Sequence, residues 1–208
     1  MRAAHEETDE SLLRLARGGN ESAFAALYGR RQAGLYRFAL QMSGSKSVAE
    51  DVTQEVFMTL LNEEIRFDPS RGALSSYLYG VARNQVLRRL DKERNFVTLA
   101  DEREEQTVCA DERQRDARHD PLADLARNET VETVRQAVLA LPVHYREVIV
   151  LCELQEMSYA EAALALQCAV GTVRSRLHRA RALLCERLRA FDEGEESAGD
   201  YDAARCFA

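Results

Sequence analysis

Through the first stretch of the chain, apolar residues return every three or four positions. They run Leu12, Leu13, Leu15 and Ala16, then Phe24, Leu27 and Tyr28, then Leu35, Phe38, Ala39 and Met42. That is the period of an amphipathic helix, not the alternation of a strand. Gly18-Gly19-Asn20 and Gly44-Ser45 interrupt the pattern and predict breaks between helices. Ser47 to Leu61 reads as a further helix, with Ser47 as N-cap and Glu50 completing a capping box. Phe67 to Gly72 reads as a loop. Ala73 to Leu90 is again helical, apolar at Leu74, Tyr77, Leu78, Val81, Ala82 and Val86. Four such helices suffice for one compact bundle.

The pattern then lapses. From about Asn95 to Asp124 large apolar residues are scarce and charges are dense, as in Asp101-Glu102-Arg103-Glu104-Glu105. Such a stretch buries too little surface to fold alone and reads as a flexible charged linker, with short helical pieces allowed. Helical spacing resumes over Asn128–Ala140, Tyr145–Leu154, Tyr159–Leu166 and Thr172–Arg189. Pro142 marks an element boundary, and Ser158 with Glu161 forms a capping box. The acidic, Gly-containing stretch from Asp192 to Asp202 reads as frayed. The expected fold is all-α: a helical domain over 1–94, a linker over 95–124, a second helical domain over 125–191 and an acidic tail over 192–208.

The sharpest local signal lies between Ser158 and Arg181. A capped helix of about two turns, a turn containing Gly171 and a second helix from Thr172 form a helix-turn-helix. Val173, Leu177, Ala180 and Leu184 make the buried stripe of the second helix. Arg174, Ser175, His178, Arg179 and Arg181 fall off that stripe and give it a cationic outer face, with Glu186 as its one acid, near the end. In a major groove the first of these residues would meet base edges and the later arginines phosphates.

The net charge of −7 tells against nucleic acid only if charge is spread evenly, and here it is segregated. Three prolines and an abundance of Ala, Leu, Arg and Glu favour helices. Apolar runs are too short for membrane insertion, and the acidic start of the chain does not resemble a signal peptide, so a cytoplasmic location is expected. The five cysteines form no CxxC pair or Cys/His cluster, so neither a zinc site nor a disulfide framework is indicated. Cys152, Cys168 and Cys185 read as small buried hydrophobes, whereas Cys109 and Cys206 read as exposed and open to redox chemistry. No glycine-rich phosphate loop, HExxH or GxSxG occurs, so neither a catalytic site nor a cofactor is expected.

Four segments together resemble a known family. Val170-Gly-Thr-Val-Arg-Ser-Arg-Leu-His-Arg-Ala-Arg181 is similar to the −35 promoter reader, within region 4, of group IV sigma factors, the extracytoplasmic-function type. Leu141-Pro-Val-His-Tyr-Arg-Glu-Val-Ile-Val-Leu151 resembles the opening of that region. Ala49-Glu-Asp-Val-Thr-Gln-Glu-Val-Phe57 resembles the region 2 helix that docks on the clamp coiled coil of the polymerase β′ subunit. Tyr77-Leu-Tyr-Gly-Val-Ala-Arg-Asn84 resembles the −10 reader. The likeness spans nearly all of Ser11 to Leu188, with the motifs in the family's order.

The resemblance implies a sigma factor that binds RNA polymerase core through the β′ clamp and β flap, reads promoter DNA and answers to an anti-sigma factor. Asp51, Gln54, Glu55 and Phe57 would meet core, although Phe57 also suits a core position. Arg71, Tyr77, Arg83, Asn84 and Arg88, with the Asn62–Ser75 loop, would hold the −10 strand. Thr172, Arg174, Ser175, Arg176, His178, Arg179 and Arg181 would read −35. One departure stands out: the family commonly has Trp where Tyr77 is, and this chain has no Trp. The linker suits the model, because two elements about two helical turns apart lie roughly 70 Å from each other. About 30 extended residues at ~3.3 Å each reach that far. A one-component repressor or activator, which would bind DNA without polymerase, and a scaffold lacking promoter activity remain as alternatives.

Overall fold

A computed structural model of the protein describes residues 7–62, 67–99 and 121–203, and among them every regular element is helical. The first unit holds α1 (Asp9–Arg17), α2 (Glu21–Ser43), α3 (Lys46–Leu61) and α4 (Leu74–Leu99), with a short 3-10 turn at Pro69–Arg71. The second holds α5 (Pro121–Leu139), α6 (Val143–Ile149), a π-helical turn at Val150–Leu154, α7 (Tyr159–Leu166) and α8 (Val170–Ala203).

The breaks fall where the glycines stand. The Asn20 side chain caps α2 by accepting from the Ala23 amide, and Gly44 ends it in the left-handed region at φ 74°. The start of α3 differs from the sequence expectation. Ser45, not Ser47, is the N-cap and accepts from the Val48 amide, which leaves Ser47 inside the helix and no capping box there. The Gly44 turn delivers the chain to the helix two residues earlier than periodicity alone suggested. Helix ends also run further than expected: α4 continues past Leu90 to Leu99, α5 starts at Pro121, and α8 carries the acidic stretch as helix to Ala203. Arg, Lys, Glu and Ala in those flanks are strong helix formers, and Pro121 sits at a first helical position where its missing N–H costs nothing. Residues 100–120, most of the expected linker, lie outside the described residues.

The first core is built on Leu27, Leu35, Phe38, Met42, Val52, Leu60, Leu78 and Val86, each at most 1% exposed. Burying such a side chain contributes about 1.5–3 kcal/mol. In the second unit Val148, Val150, Leu151, Val173, Leu177 and Ala180 do the same. The expected helix at Tyr145–Leu154 is split there: the Gln155 amide reaches back five residues to the Val150 carbonyl at 2.9 Å. This π turn ends on Glu156, a non-glycine residue at φ 55°.

The helix-turn-helix has the expected layout with one correction. Ser158 and Glu161 form a reciprocal capping box on α7. The turn is made by Gln167 at φ 53°, not by Gly171, which lies inside the first turn of α8. A left-handed non-glycine residue costs about 1–2 kcal/mol, so the turn is held by α7 and α8 packing against each other and not by local freedom.

The two units touch. Helix α7 lies along α4, and α5 and α6 reach α2. The Arg146 guanidinium, on α6, donates to the carbonyls of Met42 at the end of α2 and Leu139 at the end of α5, so one cation closes two helix C-termini.

Candidate nucleic-acid interface

Helix α8 presents two sides. Val173, Leu177 and Ala180 are buried, while Arg174, Ser175, His178 and Arg179 are exposed on the opposite side, with Thr172 and Arg176 half-buried beside them. The Ser175 hydroxyl donates back to the Thr172 carbonyl at 3.1 Å, and the Arg174 guanidinium lies 6.0 Å from the Tyr159 ring centroid. That distance is at the outer limit of a cation–π contact and still tethers Arg174 to the start of α7. Arg181 is also exposed but is engaged: its Nε donates to Glu153 Oε1 at 3.1 Å. Among the described residues Arg174 and Arg179 have no such ion pair.

A groove of about 1200 Å³ runs between α4 and α7. Phe67, Arg71, Tyr77, Asn84 and Arg88 line one wall; Leu164 and Val170 line the other. Tyr77 is half-buried with its ring 5.6 Å from that of Phe67, and its buried hydroxyl has no hydrogen-bond partner among the described residues. Desolvation raises the pKa of that phenol. Arg71, Asn84 and Arg88 are exposed along the groove. Residues 63–66 of the preceding loop lie outside the described residues. Tyr79 turns the other way, packing edge-on to Phe38 at 5.4 Å and donating to Gln155 Oε1 at 3.0 Å, so it is a packing residue.

Arg83 departs from the rest of its set. Its Nε donates at 2.6 Å to Glu147 Oε1, a carboxylate 1% exposed in the second unit. Sequence reasoning missed Glu147 as a site residue, because its partner is 64 positions away and its neighbours look like ordinary helix. In this arrangement Arg83 faces the second unit, not the open groove.

On α3, Asp51, Gln54 and Glu55 share one outward side, with the Asp51 and Glu55 side chains 64% and 46% exposed. Arg89 of α4 grips Glu55 with two hydrogen bonds, at 2.8 and 3.1 Å, and sits 3.7 Å from Asp51. Its hydrogen bond and charge hold the Glu55 carboxyl below its ordinary pKa. Phe57 is 3% exposed and packs 4.6 Å from the Tyr28 ring and 6.2 Å from Phe24. It braces α3 from beneath and presents nothing to a partner. Met58, 65% exposed and one helical turn from Gln54 and Glu55, extends the acidic side with an apolar one; the sequence reading passed over it.

The cysteines divide differently from the expectation. Cys152 and Cys168 are half-buried, but Cys185 is exposed, because α8 extends beyond the core of the second unit at that point. Burial and the neighbouring Glu153 raise the Cys152 thiol pKa. Cys109 and Cys206 lie outside the described residues. Among the described residues no helix is long and apolar enough to cross a membrane.

The chain as a whole is similar to known proteins. Residues 27–96 match the family model for Sigma-70 region 2, and residues 132–184 match that for Sigma-70, region 4. A chain carrying both is of the sigma-70 class. The chain is similar to the ECF RNA polymerase sigma factor SigW of Bacillus subtilis, 31% identical over 82% of this chain and 91% of that protein. It is 32% identical to SigM of Mycobacterium tuberculosis, over 91% of this chain and 89% of the relative. Among solved structures, the sigma factor RpoE in complex with the anti-sigma factor NepR from Bartonella quintana superposes with a TM-score of 0.63. That match is at 25% identity and covers 80% of this chain and 96% of that one. CnrH in complex with the cytosolic domain of CnrY gives 0.62 at 27% identity, over 88% and 97%. The chain belongs to the ECF RNA polymerase sigma factors, and is a transcription initiation factor, not a catalyst.

Proposed function

We propose that the protein directs RNA polymerase to promoters by reading two elements, one with each unit. The second unit reads −35 duplex, with Arg174, Ser175, His178 and Arg179 at base edges and Thr172, Arg176 and Arg181 along phosphates. The first unit takes the melted −10 strand on Arg71, Asn84 and Arg88 with Tyr77 as stacking wall, and Arg83 joins them once released from Glu147. Base contacts and stacking to one strand offset the unstacking cost of a few kcal/mol per base, so melting needs binding energy only. Asp51, Gln54 and Glu55, braced by Phe57, dock on the β′ clamp, and the second unit meets the β flap. An anti-sigma protein regulates it, a reading supported by the partner of RpoE in the solved complex. It acts in the cytoplasm, where its polymerase works.

The observation that carries this reading is the row Arg174, Ser175, His178 and Arg179, all exposed on a helix that the buried Val173, Leu177 and Ala180 lock in place. Footprinting tests it. With core polymerase the chain is expected to protect both elements of a target promoter, and without core neither. Protection of a specific site by the chain alone would instead indicate a one-component repressor or activator.

A further inference from the structure

Two side chains outside α8 engage arginines that α8 presents. Both come from the segment between α6 and α7, and its path is fixed at three points. The π turn at Val150–Leu154 leads to the left-handed Glu156. The buried Met157 then donates its amide to the Leu151 carbonyl at 3.0 Å, and the Ser158–Glu161 capping box starts α7. A π turn holds one residue more than an α-turn, so the side chains at its end are rotated to a new side. Glu153 leaves the turn facing α8: Nε and Nη2 of Arg181 both donate to its Oε1, at 3.1 and 2.5 Å. Tyr159, the first residue of α7, sets its ring 6.0 Å from the Arg174 guanidinium. Its phenol also acts on Arg181, whose pKa is raised first by Glu153 and further by Tyr159. Arg174 and Arg181 are seven residues apart on α8, which is about two helical turns and brings them to one side. Glu153, Arg181, Tyr159 and Arg174 thus form one row.

We propose that Tyr159 and Glu153 are positioning residues for −35 reading: Tyr159 presets Arg174 for a base edge, and Glu153 withholds Arg181 from phosphate. Both roles rest on the −35 reading by α8 proposed above. An exposed arginine samples many rotamers and loses that freedom when it binds. An aromatic face beside it narrows the choice beforehand, so less is lost on the DNA. Arg174 stands near the start of α8, where a helix in the major groove meets base edges. Arg181 stands two turns on, where phosphates are met. A phosphate contact strengthens binding to every sequence alike, whereas a base contact separates one sequence from another. The Glu153 carboxylate offsets the Arg181 charge and itself repels the DNA backbone. The row therefore favours discrimination over general affinity: one arginine is steadied and the other restrained.

Holoenzyme assembled from the full chain and core polymerase tests both roles, on a promoter and on variants with single −35 substitutions. Tyr159 is 37% exposed and the Glu153 side chain 40%, so thermal midpoints should match the wild type. Glu153→Gln keeps the side chain's size and removes its charge. It is expected to strengthen binding about 3- to 10-fold at low salt, alike on promoter and variants, and to steepen the salt dependence by about one phosphate. Unchanged or weaker binding would overturn the restraint on Arg181, and so would a gain confined to one sequence. Tyr159→Ala is expected to reduce base preference at the position Arg174 reads by about fivefold, and to add nothing when Arg174 is already alanine. Tyr159→Phe, which keeps the ring, should retain the preference. A Phe variant as relaxed as the Ala variant would overturn the presetting of Arg174. So would a Tyr159→Ala loss that adds to that of Arg174→Ala, or no loss where Arg174→Ala relaxes preference; −35 reading would stand in each case. Unchanged −35 preference in Arg174→Ala itself would instead remove −35 reading by this side of α8, and the presetting with it.

Discussion

Replacing Arg174 or Arg179 with alanine is expected to lower −35-dependent transcription about 5- to 150-fold. Each change should also relax preference at one base position. The range is the ~1–3 kcal/mol of a lost bidentate base contact, converted at tenfold per 1.4 kcal/mol. Both side chains are exposed, and among the described residues neither carries an ion pair, unlike Arg181 with Glu153. Surface substitutions of this kind usually leave stability within about 0.5 kcal/mol, so the loss would belong to recognition. Arg181→Ala should do less and act evenly across promoter sequences, as a phosphate contact does. Promoter-variant transcription assays with the purified chain and core read all three. Full activity with unchanged base preference in both Arg174 and Arg179 variants would remove α8 as the reader.

Asp51→Arg is expected to weaken association with core polymerase at least about 30-fold. A reversal at a docking face loses an attraction and adds a repulsion, together in the range of 2–5 kcal/mol or more for a close interfacial charge. Asp51 is the better site than Glu55 for this test. Its side chain is 64% exposed and only 3.7 Å from Arg89, whereas Glu55 makes two short hydrogen bonds to that arginine. Reversal at Glu55 would set two cations against each other and confuse docking with folding. Size-exclusion co-elution and a thermal melt together check the prediction: lost co-elution at an unchanged midpoint is expected. Co-elution equal to wild type would displace the docking face from α3.

What the sequence disclosed and what it hid follow from the range of the interactions. The capping box of Ser158 and Glu161 lies within one turn of helix, so spacing alone reveals it, and the Val173–Leu177–Ala180 stripe is likewise local. The alternative roles of Phe57 were equally legible, and tertiary packing against Tyr28 decided for the core. Glu147 could not be read, because nothing near it in the chain announces an arginine 64 positions earlier. The use of Arg89 as the partner of Glu55, rather than a free cation, was hidden for the same reason. Turn chemistry misled at Gly171: a glycine near a turn suggests the left-handed position, yet Gln167 occupies it. The ends of α4 and α8 lie beyond the apolar periodicity, in dense charge that reads as unfolded chain although those same residues are good helix formers.

The most direct test of the account is run-off transcription with purified core polymerase over fragments spanning many promoters, with and without the chain. The account predicts that the chain brings core to a small set of start sites, each preceded by a shared pair of elements at fixed spacing. Altering either element of the pair should abolish its start. Transcription from core that is unchanged by the chain, or starts with no shared upstream pair, would contradict it.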